Sequence, residues 1–443
     1  MRVKIADKEL FNISFNEMIA GLGNIKSKGL CIDSRHIQKG DIFFALKGEV
    51  TDGHNYINEA YKSGACMAIV EESIEHKLPI YKVPSVRKFI KKLSSKYRNL
   101  LSHPIIGITG SNGKTTTKDI LVNILSNSMD ISFSKGNYNS TLGAPLSLFE
   151  CHKKNDITAI EMGASKPGEI EYICNIVKPD MGIITNISGA HLKNFQTIKE
   201  IMKTKSALFN KLPENGTAFV NLDDHYIKNL SIFSKKITYS FDKDSNYSAQ
   251  LSADKKQITI NNIDINIKHA SKIMATNVLA AFAIASTIGI EENKIKESIE
   301  NFEITNGRGN ILTFKGISLI NDTYNANLES AKNGIENLVN NFANNRKIVV
   351  IGDMLELGPF EIKHHEELGE ILLEKKIDAI FSYGELTKYT RNVLKKRNQI
   401  NKHYIDKNNL ISDLKNFLQK GDAIYLKGSR GMKMESIIEG LKV

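Results

Sequence analysis

One segment, residues 105–125, constrains the fold more than any other. In it a strand is followed by a glycine-containing loop, a Lys-Thr pair and a helix. Residues 105–108 (I-I-G-I) are typical of a buried strand, and apolar residues at helical spacing begin at Ile120. In such a turn, backbone N–H groups and the positive end of the helix face an anion. The sequence therefore predicts a nucleotide phosphate site formed by Thr109, Gly110, Ser111, Asn112, Gly113, Lys114, Thr115 and Thr116.

The Lys-Thr pair has a defined chemistry in loops of this kind. Lys114 is expected to reach the β- and γ-phosphates, and the Thr115 hydroxyl is expected to bind Mg²⁺. The match to G-x-x-x-x-G-K-[ST] departs at its first position, where Ile108 stands and Gly107 comes one residue too early. The alternative is an ordinary strand-to-helix turn with a capping threonine. The strand before the loop and the helix after it favour the nucleotide site.

Short runs rich in Ile and Val alternate with helical segments, a pattern typical of parallel sheets covered by helices. Strands are predicted at 41–46, 66–70, 105–108, 157–160, 181–185, 217–220, 347–351, 379–383 and 423–426, and helices at 86–101 and 198–212. A chain of 443 residues suggests about three domains. We predict an α/β protein with a small N-terminal α/β domain (1–82), a central P-loop-type parallel-sheet domain (83–309) and a C-terminal Rossmann-like domain (310–443).

Composition excludes several classes of protein. Hydrophobic residues make up 41% of the chain and charged residues 25%, which is ordinary for a globular protein. No apolar run reaches the ~18 residues of a membrane span, and the charged N-terminus does not resemble a secretory signal, so we expect a cytoplasmic protein. The four cysteines show no metal-ligand or disulfide spacing. The net charge of +11 comes mostly from dispersed lysines, so we expect anionic small ligands and not nucleic acid.

Two polar residues follow predicted strands in the central part of the chain. Glu161 comes directly after the strand at 157–160, and His191 follows the strand at 181–185. Ligand sites of α/β proteins form at such strand ends, and a carboxylate suits Mg²⁺ better than an imidazole does. His191 could equally be a loop histidine with a satisfied hydrogen bond. Lys203 and Lys205 lie on the predicted helix at 198–212, and spacing alone does not separate either from a solvated lysine.

These motifs together resemble the ATP-dependent Mur ligases of peptidoglycan synthesis. The resemblance rests on the T-G-S-N-G-K-T-T loop, N-Y-N-S-T-L-G-A-P-L at 137–146, E-M-G-A at 161–164 and T-N-I-S-G-A-H-L at 185–192. Three further stretches are similar to the members that add D-alanyl-D-alanine: 33–54 (D-S-R to D-G-H), I-G-D-M-L-E-L-G at 351–358 and L-K-G-S-R-G-M-K-M-E at 426–435. The resemblance covers nearly the whole chain in the order of the family.

The resemblance implies a reaction and its reactants. The expected activity joins D-alanyl-D-alanine to UDP-N-acetylmuramoyl-tripeptide, with ATP and Mg²⁺, through an acyl phosphate. The small molecules are the only partners implied, and a monomer is expected. We also expect the C-terminal domain to close over ATP, because ligands are implied on two separate domains and an acyl phosphate must be kept from water.

The resemblance also implies roles for individual residues. Lys114 and its loop bind the ATP phosphates; Thr115 and Glu161 hold Mg²⁺, and His191 supports a second Mg²⁺. Lys205 stands where the family carries a carbamylated lysine, so Lys114, Glu161, His191 and Lys205 are the implied catalytic residues. Nucleotide contacts are implied for Asn277, Arg308 and Asp322. The UDP-substrate positions are Asp33, Ser34, Arg35, Lys47, Gly48, Asp52, Gly53, His54, Asn137 and Asn139.

The chain departs from the family pattern at two places. Ile273 and Met274 stand where the family has His-Asn, a pair that helps to hold the nucleotide, and Leu328 replaces a proline in a turn. The nearest alternative function is the Mur ligase that adds L-lysine or diaminopimelate, whose D-N-P-R motif is absent here. Folylpolyglutamate synthase lacks the stretch at 33–54. A nucleic-acid-stimulated ATPase would need a basic face interleaved with aromatic residues, and a binding module without chemistry would leave Glu161, His191 and Asp322 unexplained.

Overall fold

The computed structural model describes residues 1–19, 26–48, 50–189, 191–268, 271–395 and 400–442. Within them, three β-sheets follow one another along the chain, with helices between the strands. This arrangement confirms the predicted α/β class. None of the helices in the described ranges is long and apolar enough to cross a membrane. We refer below to the N-terminal, central and C-terminal units, each consisting of one sheet and the helices packed against it.

The N-terminal unit contains a five-stranded sheet in the order β1-β2-β3-β4-β5, parallel except for β1. Because β2, β3 and β4 are parallel, the segments that follow them leave the sheet at the same edge. The strands are β1 (Arg2–Lys4), β2 (Gly29–Cys31), β3 (Asp41–Phe44), β4 (Met67–Val70) and β5 (Ile80–Lys82), and the helices are α1 (Lys8–Asn16), α2 (Ile57–Lys62) and α3 (Val86–Asn99).

The central unit is built on a nine-stranded sheet in the order β14-β13-β12-β11-β10-β9-β6-β8-β7. The strands are β6 (Ile105–Thr109), β7 (Ile131–Phe133), β8 (Ile157–Glu161), β9 (Met181–Ile184), β10 (Thr217–Asn221), β11 (Lys235–Ser240), β12 (Tyr247–Leu251), β13 (Gln257–Ile260) and β14 (Ile263–Asn266). Its helices are α4 (Lys114–Leu125), α5 (Gly143–Ser147), α6 (Glu169–Val177), α7 (Leu192–Phe195), α8 (Ile198–Asn210), α9 (Lys272–Ile288) and α10 (Glu292–Asn301). The strand β6 lies between β8 and β9, and all three are parallel.

The C-terminal unit contains a six-stranded sheet in the order β15-β16-β20-β17-β18-β19, parallel except for β15. The strands are β15 (Asn310–Phe314), β16 (Ile317–Asp322), β17 (Lys347–Gly352), β18 (Ala379–Tyr383), β19 (Ile400–Tyr404) and β20 (Ala423–Lys427). The helices are α11 (Leu328–Asn341), α12 (Glu361–Glu374), α13 (Thr387–Leu394), α14 (Lys407–Phe417) and α15 (Glu435–Lys442). Apolar side chains are buried on both faces of this sheet, as the predicted Rossmann-like fold requires.

One continuous core joins the N-terminal and central units. The helix α3 contributes Phe89, Leu93 and Tyr97 to an apolar cluster that includes one face of each of the two sheets. The opposite face of the central sheet is covered by α4, α9 and α10, which pack against residues such as Ile106 and Ile183. These two cores fix the carboxyl ends of β6, β8 and β9 at one edge of the central sheet, where the predicted site residues lie.

Candidate functional site

The turn between β6 and α4 has the geometry of a phosphate loop. Gly110 (φ +151°) and Gly113 (φ +78°) have positive φ values, and a Cβ on Gly113 would lie 2.6 Å from Oδ1 of Asn277. Side chains are excluded there by both backbone conformation and space. The N–H groups of residues 113–116 have no acceptor among the described residues. Four adjacent donors at the start of a helix form an anion site.

The strand end of β9 holds the loop in place. The N–H of Ser111 donates to the carbonyl of Asn186 at 2.9 Å, and the N–H of Asn112 donates to Oδ1 of Asn186 at 3.0 Å. The hydroxyl of Thr185 donates to the carbonyl of Asn112 at 2.6 Å. Thr109 differs from the other seven predicted loop residues, because it is buried and donates its hydroxyl hydrogen to the carbonyl of Met162 away from the cleft.

Two lysines converge on this loop. Nζ of Lys114 donates to the carbonyl of Gly110 at 2.8 Å and approaches the carbonyl of Ser111 at 3.2 Å. Nζ of Lys205, on α8, donates to the same Gly110 carbonyl at 2.9 Å, although its side chain is buried. Burial lowers the pKa of Lys205 well below its usual value, and the charge of Lys114 lowers it further. Burial lowers the pKa of Lys114 too, while Glu161 opposes that effect.

A buried carboxylate stands beside the loop. Glu161, the last residue of β8, is 1% exposed and accepts hydrogen bonds from the Thr115 hydroxyl and from Nδ2 of Asn139, both at 2.7 Å. Nζ of Lys118, also buried, lies 3.9 Å from Oε2 of Glu161 and donates to the carbonyl of Ser134. The hydroxyl and carboxylate oxygens of Thr115 and Glu161 are hard ligands that fit Mg²⁺.

His191 lies on the other side of the loop, at the start of α7. Its Nδ1 is 2.5 Å from Oε2 of Glu356, a residue that follows β17 in the C-terminal unit. Burial lowers the pKa of His191, and the Glu356 carboxylate opposes this effect. The histidine therefore contacts both the nucleotide side of the cleft and the C-terminal unit.

A cleft of about 590 Å³ between the central and C-terminal units collects the predicted nucleotide and catalytic residues. Its lining includes the loop residues Gly110 to Thr116 together with Asn137, Asn139, Glu161, His191, Lys205, Ile273, Asn277, Arg308 and Asp322. The loops and helices of the central unit supply most of these residues, β8 supplies Glu161, and β16 supplies Asp322. All the catalytic and nucleotide residues except Thr109 are thus brought together in one place.

Three residues on the C-terminal side of the cleft had no predicted role: Tyr324, Tyr425 and Lys427. The guanidinium of Arg308 lies 3.8 Å from the ring centre of Tyr324. Oδ2 of Asp322 accepts from Nζ of Lys427 at 2.6 Å and from the Tyr425 hydroxyl at 3.0 Å. The registry of β16 with β20 predicts the first of these contacts, because Asp322 and Lys427 are paired residues. Burial raises the pKa of Tyr425, and the Asp322 carboxylate raises it further.

The helix α11 connects the C-terminal unit to the phosphate loop. Asn327 caps α11 by accepting from the N–H of Ser330, and its Nδ2 donates to Oδ1 of Asn112 at 2.9 Å. The middle of α11 lies close to β20, because a Cβ on Gly334 would be 2.0 Å from the Tyr425 hydroxyl oxygen. A capping signal at Asn327 is visible in the sequence, but its second contact depends on how the two units meet.

The predicted UDP-substrate residues of the N-terminal unit form a separate group. Asp33, Ser34 and Arg35 follow β2, while Lys47, Gly48, Asp52, Gly53 and His54 follow β3 at the same edge of the sheet. Arg35 donates two hydrogen bonds to Asp33, and His54 is engaged through both ring nitrogens, by Asp52 and by the N–H of Glu71. None of these eight residues lines the cleft described above.

Comparison with known proteins places the whole arrangement in one family. Residues 26–98 match the catalytic domain of the Mur ligase family, residues 108–285 the Mur ligase middle domain, and residues 307–430 the Mur ligase glutamate ligase domain. The UDP-N-acetylmuramoyl-tripeptide–D-alanyl-D-alanine ligase of Bacillus subtilis is 31% identical over 93% of each chain.

Solved structures agree with the sequence comparison. A MurF crystal structure from Acinetobacter baumannii has a TM-score of 0.86 and 27% identity, and the alignment covers 98% of both chains. The MurF ligase from Thermotoga maritima, solved in complex with ADP, has a TM-score of 0.82 and 28% identity, covering 94% of this chain and 97% of that one. With this similarity extending through all three units, the chain belongs to the Mur ligase family.

Proposed function

We propose that this protein joins D-alanyl-D-alanine to UDP-N-acetylmuramoyl-tripeptide in an ATP-dependent reaction. The observation that carries the proposal is the similarity of all three units to UDP-N-acetylmuramoyl-tripeptide–D-alanyl-D-alanine ligases. The alignment covers 93% of the Bacillus subtilis enzyme. The cleft supports it, because a phosphate loop, a buried carboxylate and two lysines meet at its centre.

The chemistry explains why such a cleft is needed. A carboxylate is a poor acyl donor, so the terminal carboxylate oxygen of the tripeptide attacks the γ-phosphorus of ATP and ADP leaves. The amine of D-alanyl-D-alanine then attacks the carbonyl carbon of the acyl phosphate. The C–O bond to phosphate breaks, phosphate leaves, and the nitrogen loses a proton. Most of the catalysis is positioning and neutralisation of negative charge.

The described geometry supports the following roles for individual residues. The loop from Thr109 to Thr116 surrounds the ATP phosphates. Its donors are the Lys114 ammonium and the N–H groups of residues 113–116, for which the described part of the chain offers no acceptor. Thr109 does not face the cleft; its hydroxyl donates to the carbonyl of Met162 and so fixes the end of β6. Asn277 contacts the loop at Gly113, and Arg308 and Asp322 approach the nucleotide from the C-terminal side.

Mg²⁺ would be held by Thr115 and Glu161, whose oxygens already lie 2.7 Å apart. His191 and a carbamylated Lys205 would hold a second Mg²⁺. Bound there, the ions neutralise phosphate charge in the transition state. Carbamylation requires an amine without its proton, and the burial of Lys205 favours that form.

The remaining assignments concern the other substrate. The residues after β2 and β3, from Asp33 to Arg35 and from Lys47 to His54, bind the UDP-sugar, and Asn137 and Asn139 lie between that site and the phosphate loop.

We place the domain divisions at 82/83 and 309/310. The enzyme works as a cytoplasmic monomer, and its C-terminal domain closes over ATP.

Phosphate release from Mg-ATP in the presence of UDP-N-acetylmuramoyl-tripeptide tests the proposal. D-alanyl-D-alanine, L-lysine, diaminopimelate and D-alanine are added separately. We expect release only when both the tripeptide and D-alanyl-D-alanine are present. A parallel assay replaces the tripeptide with its UDP-linked dipeptide precursor, and release there with a single amino acid would instead identify the ligase of the preceding step. An absence of release with every amine would contradict both functions.

A further inference from the structure

The stretch I-G-D-M-L-E-L-G at 351–358 has no role in the function proposed above, yet it reaches from the C-terminal unit to the central unit. It leaves the carboxyl end of β17 and packs against α7. The N–H of Lys193 donates to the carbonyl of Glu356 at 3.1 Å. The side chain of Glu356 meets His191, whose Nδ1 is 2.5 Å from Oε2. One residue of the C-terminal unit therefore contacts α7 through its backbone and the capping residue of α7 through its side chain.

Both partners of the side-chain contact have an unusual backbone conformation. The φ values of His191 and Glu356 are +54° and +63°, in the left-handed region that residues with a Cβ rarely adopt. Such conformations persist where surrounding contacts fix them, and they cluster at functional sites. The two residues with this conformation are the ones whose imidazole and carboxylate meet across the two units.

The contact determines which nitrogen of His191 carries the proton. An ionised carboxylate only accepts hydrogen bonds, so the Nδ1 atom beside Oε2 of Glu356 must be the donor. In the neutral ring, Nε2 then keeps its lone pair, and His191 lines the cleft that contains the phosphate loop. A histidine held in this way presents a defined acceptor or ligand atom to the site.

We propose that Glu356 is a positioning residue that fixes the tautomer and orientation of His191. Because Glu356 belongs to the C-terminal unit, His191 is oriented only while that unit is seated against α7. The role in the reaction rests on the proposed function; the effect on the imidazole does not. This arrangement would couple the docking of the C-terminal unit to the completion of the site.

The direct test is nitrogen NMR of the full-length protein labelled with ¹⁵N-histidine, without nucleotide or metal and at one pH. The signals of His191 are assigned by comparison with His191→Gln. We expect the Nδ1–H tautomer in the wild type and a mixture of tautomers in Glu356→Ala. Glu356→Gln keeps an acceptor oxygen but no charge, so we expect an intermediate result. Glu366→Gln, an exposed carboxylate on α12, is the matched control and should leave the His191 signals unchanged.

Kinetics provide the second readout. We expect Glu356→Ala to lower kcat by about tenfold, the scale seen for residues that orient a histidine, with KM for the UDP-substrate unchanged. In the His191→Gln background the same substitution should have little further effect. Unchanged His191 signals in Glu356→Ala, or additive losses in the double variant, would overturn the proposal. If no amine supports phosphate release, the proposed function fails, and the NMR result alone decides the positioning of His191.

Discussion

Lys114 and Lys205 donate hydrogen bonds to the same carbonyl oxygen, that of Gly110, at 2.8 and 2.9 Å. Two ammonium groups this close repel each other, and one of them favours its neutral form. The direction of the pKa effect is clearest for Lys205, which is more deeply enclosed and is lowered by burial first and by Lys114 second. The neutral amine is the form that reacts with CO₂.

This pair predicts that activity depends on CO₂. Below the pKa of Lys205 the ammonium has no lone pair and cannot react, whereas above it the amine does. Because that pKa is lowered from 10.5, reactivation of CO₂-depleted enzyme at a fixed CO₂ pressure should rise with pH and level off well below pH 10.5. We expect Lys205→Ala to lose activity by about 10²- to 10³-fold and to recover part of it with bicarbonate. Retained activity in CO₂-free buffer and in Lys205→Ala would show that Lys205 has no catalytic role.

A second prediction separates two roles of Asn327. Asn327→Ala removes the cap of α11 and should lower the free energy of unfolding by about 1 kcal/mol. Asn327→Ser keeps a capping hydroxyl but is too short to reach Asn112, so stability should be nearly unchanged. Both variants lose the contact with Asn112, and we expect KM for ATP to rise about fivefold in each, as one hydrogen bond allows. Thermal unfolding and ATP titrations check these values, and an unchanged KM in both variants would contradict the second role.

The apolar pair Ile273–Met274 gives a third prediction. Ile273 lines the cleft and Met274 is buried, so Ile273 is the residue that can contact a nucleotide base. We expect Ile273→Ala to raise the Kd of ADP about fivefold, because roughly 1 kcal/mol of apolar contact is lost. Isothermal titration calorimetry measures this change. An unchanged Kd would mean that the base lies away from the first turn of α9.

The N-terminal unit supplies a fourth prediction, which contrasts two of its proposed substrate residues. The Arg35 side chain is 82% exposed, so Arg35→Ala should leave stability unchanged while raising KM for the UDP-substrate about tenfold. His54 is engaged through both ring nitrogens, and His54→Ala would leave the N–H of Glu71 unpaired. We expect His54→Ala to cost about 1–3 kcal/mol of unfolding free energy. Equal stability of the two variants would show that His54 has no structural role.

Much of the fold could be predicted from the sequence because buried parallel strands leave a strong local signal. All nine predicted strands and both helices predicted at 86–101 and 198–212 exist, with ends that differ by at most two residues; the helix predicted at 86–101, for example, is Val86–Asn99. Eleven strands of the described residues were not predicted: β1, β2, β5, β7, β11 to β16 and β19. Most of them are half-exposed or only three or four residues long, and their pairing depends on neighbours distant in sequence.

The candidate site was less accessible to sequence reasoning. The phosphate loop has a local pattern, and Glu161 could be placed at a strand end, but the burial of Lys205 beside Gly110 depends on how α8 packs under β6 and β9. Likewise, nothing local connects Glu356 with His191, or Asn327 with Asn112, because each contact joins two units. Family resemblance indicated Lys205 and His191, whereas Glu356, Tyr324 and Lys427 required the structure.

Gly334 gives a final prediction. It leaves room for Tyr425 beneath the middle of α11, and Gly334→Ala would push the helix away from β20 even though alanine favours helices. A helix is stiff, and Asn327 lies about 10 Å along the axis at 1.5 Å per residue. The helix would therefore act as a lever that draws Asn327 away from Asn112. We expect weaker ATP binding in this variant, and calorimetry measures it. The phosphate loop would then depend on the absence of a side chain at residue 334, in a different unit of the protein.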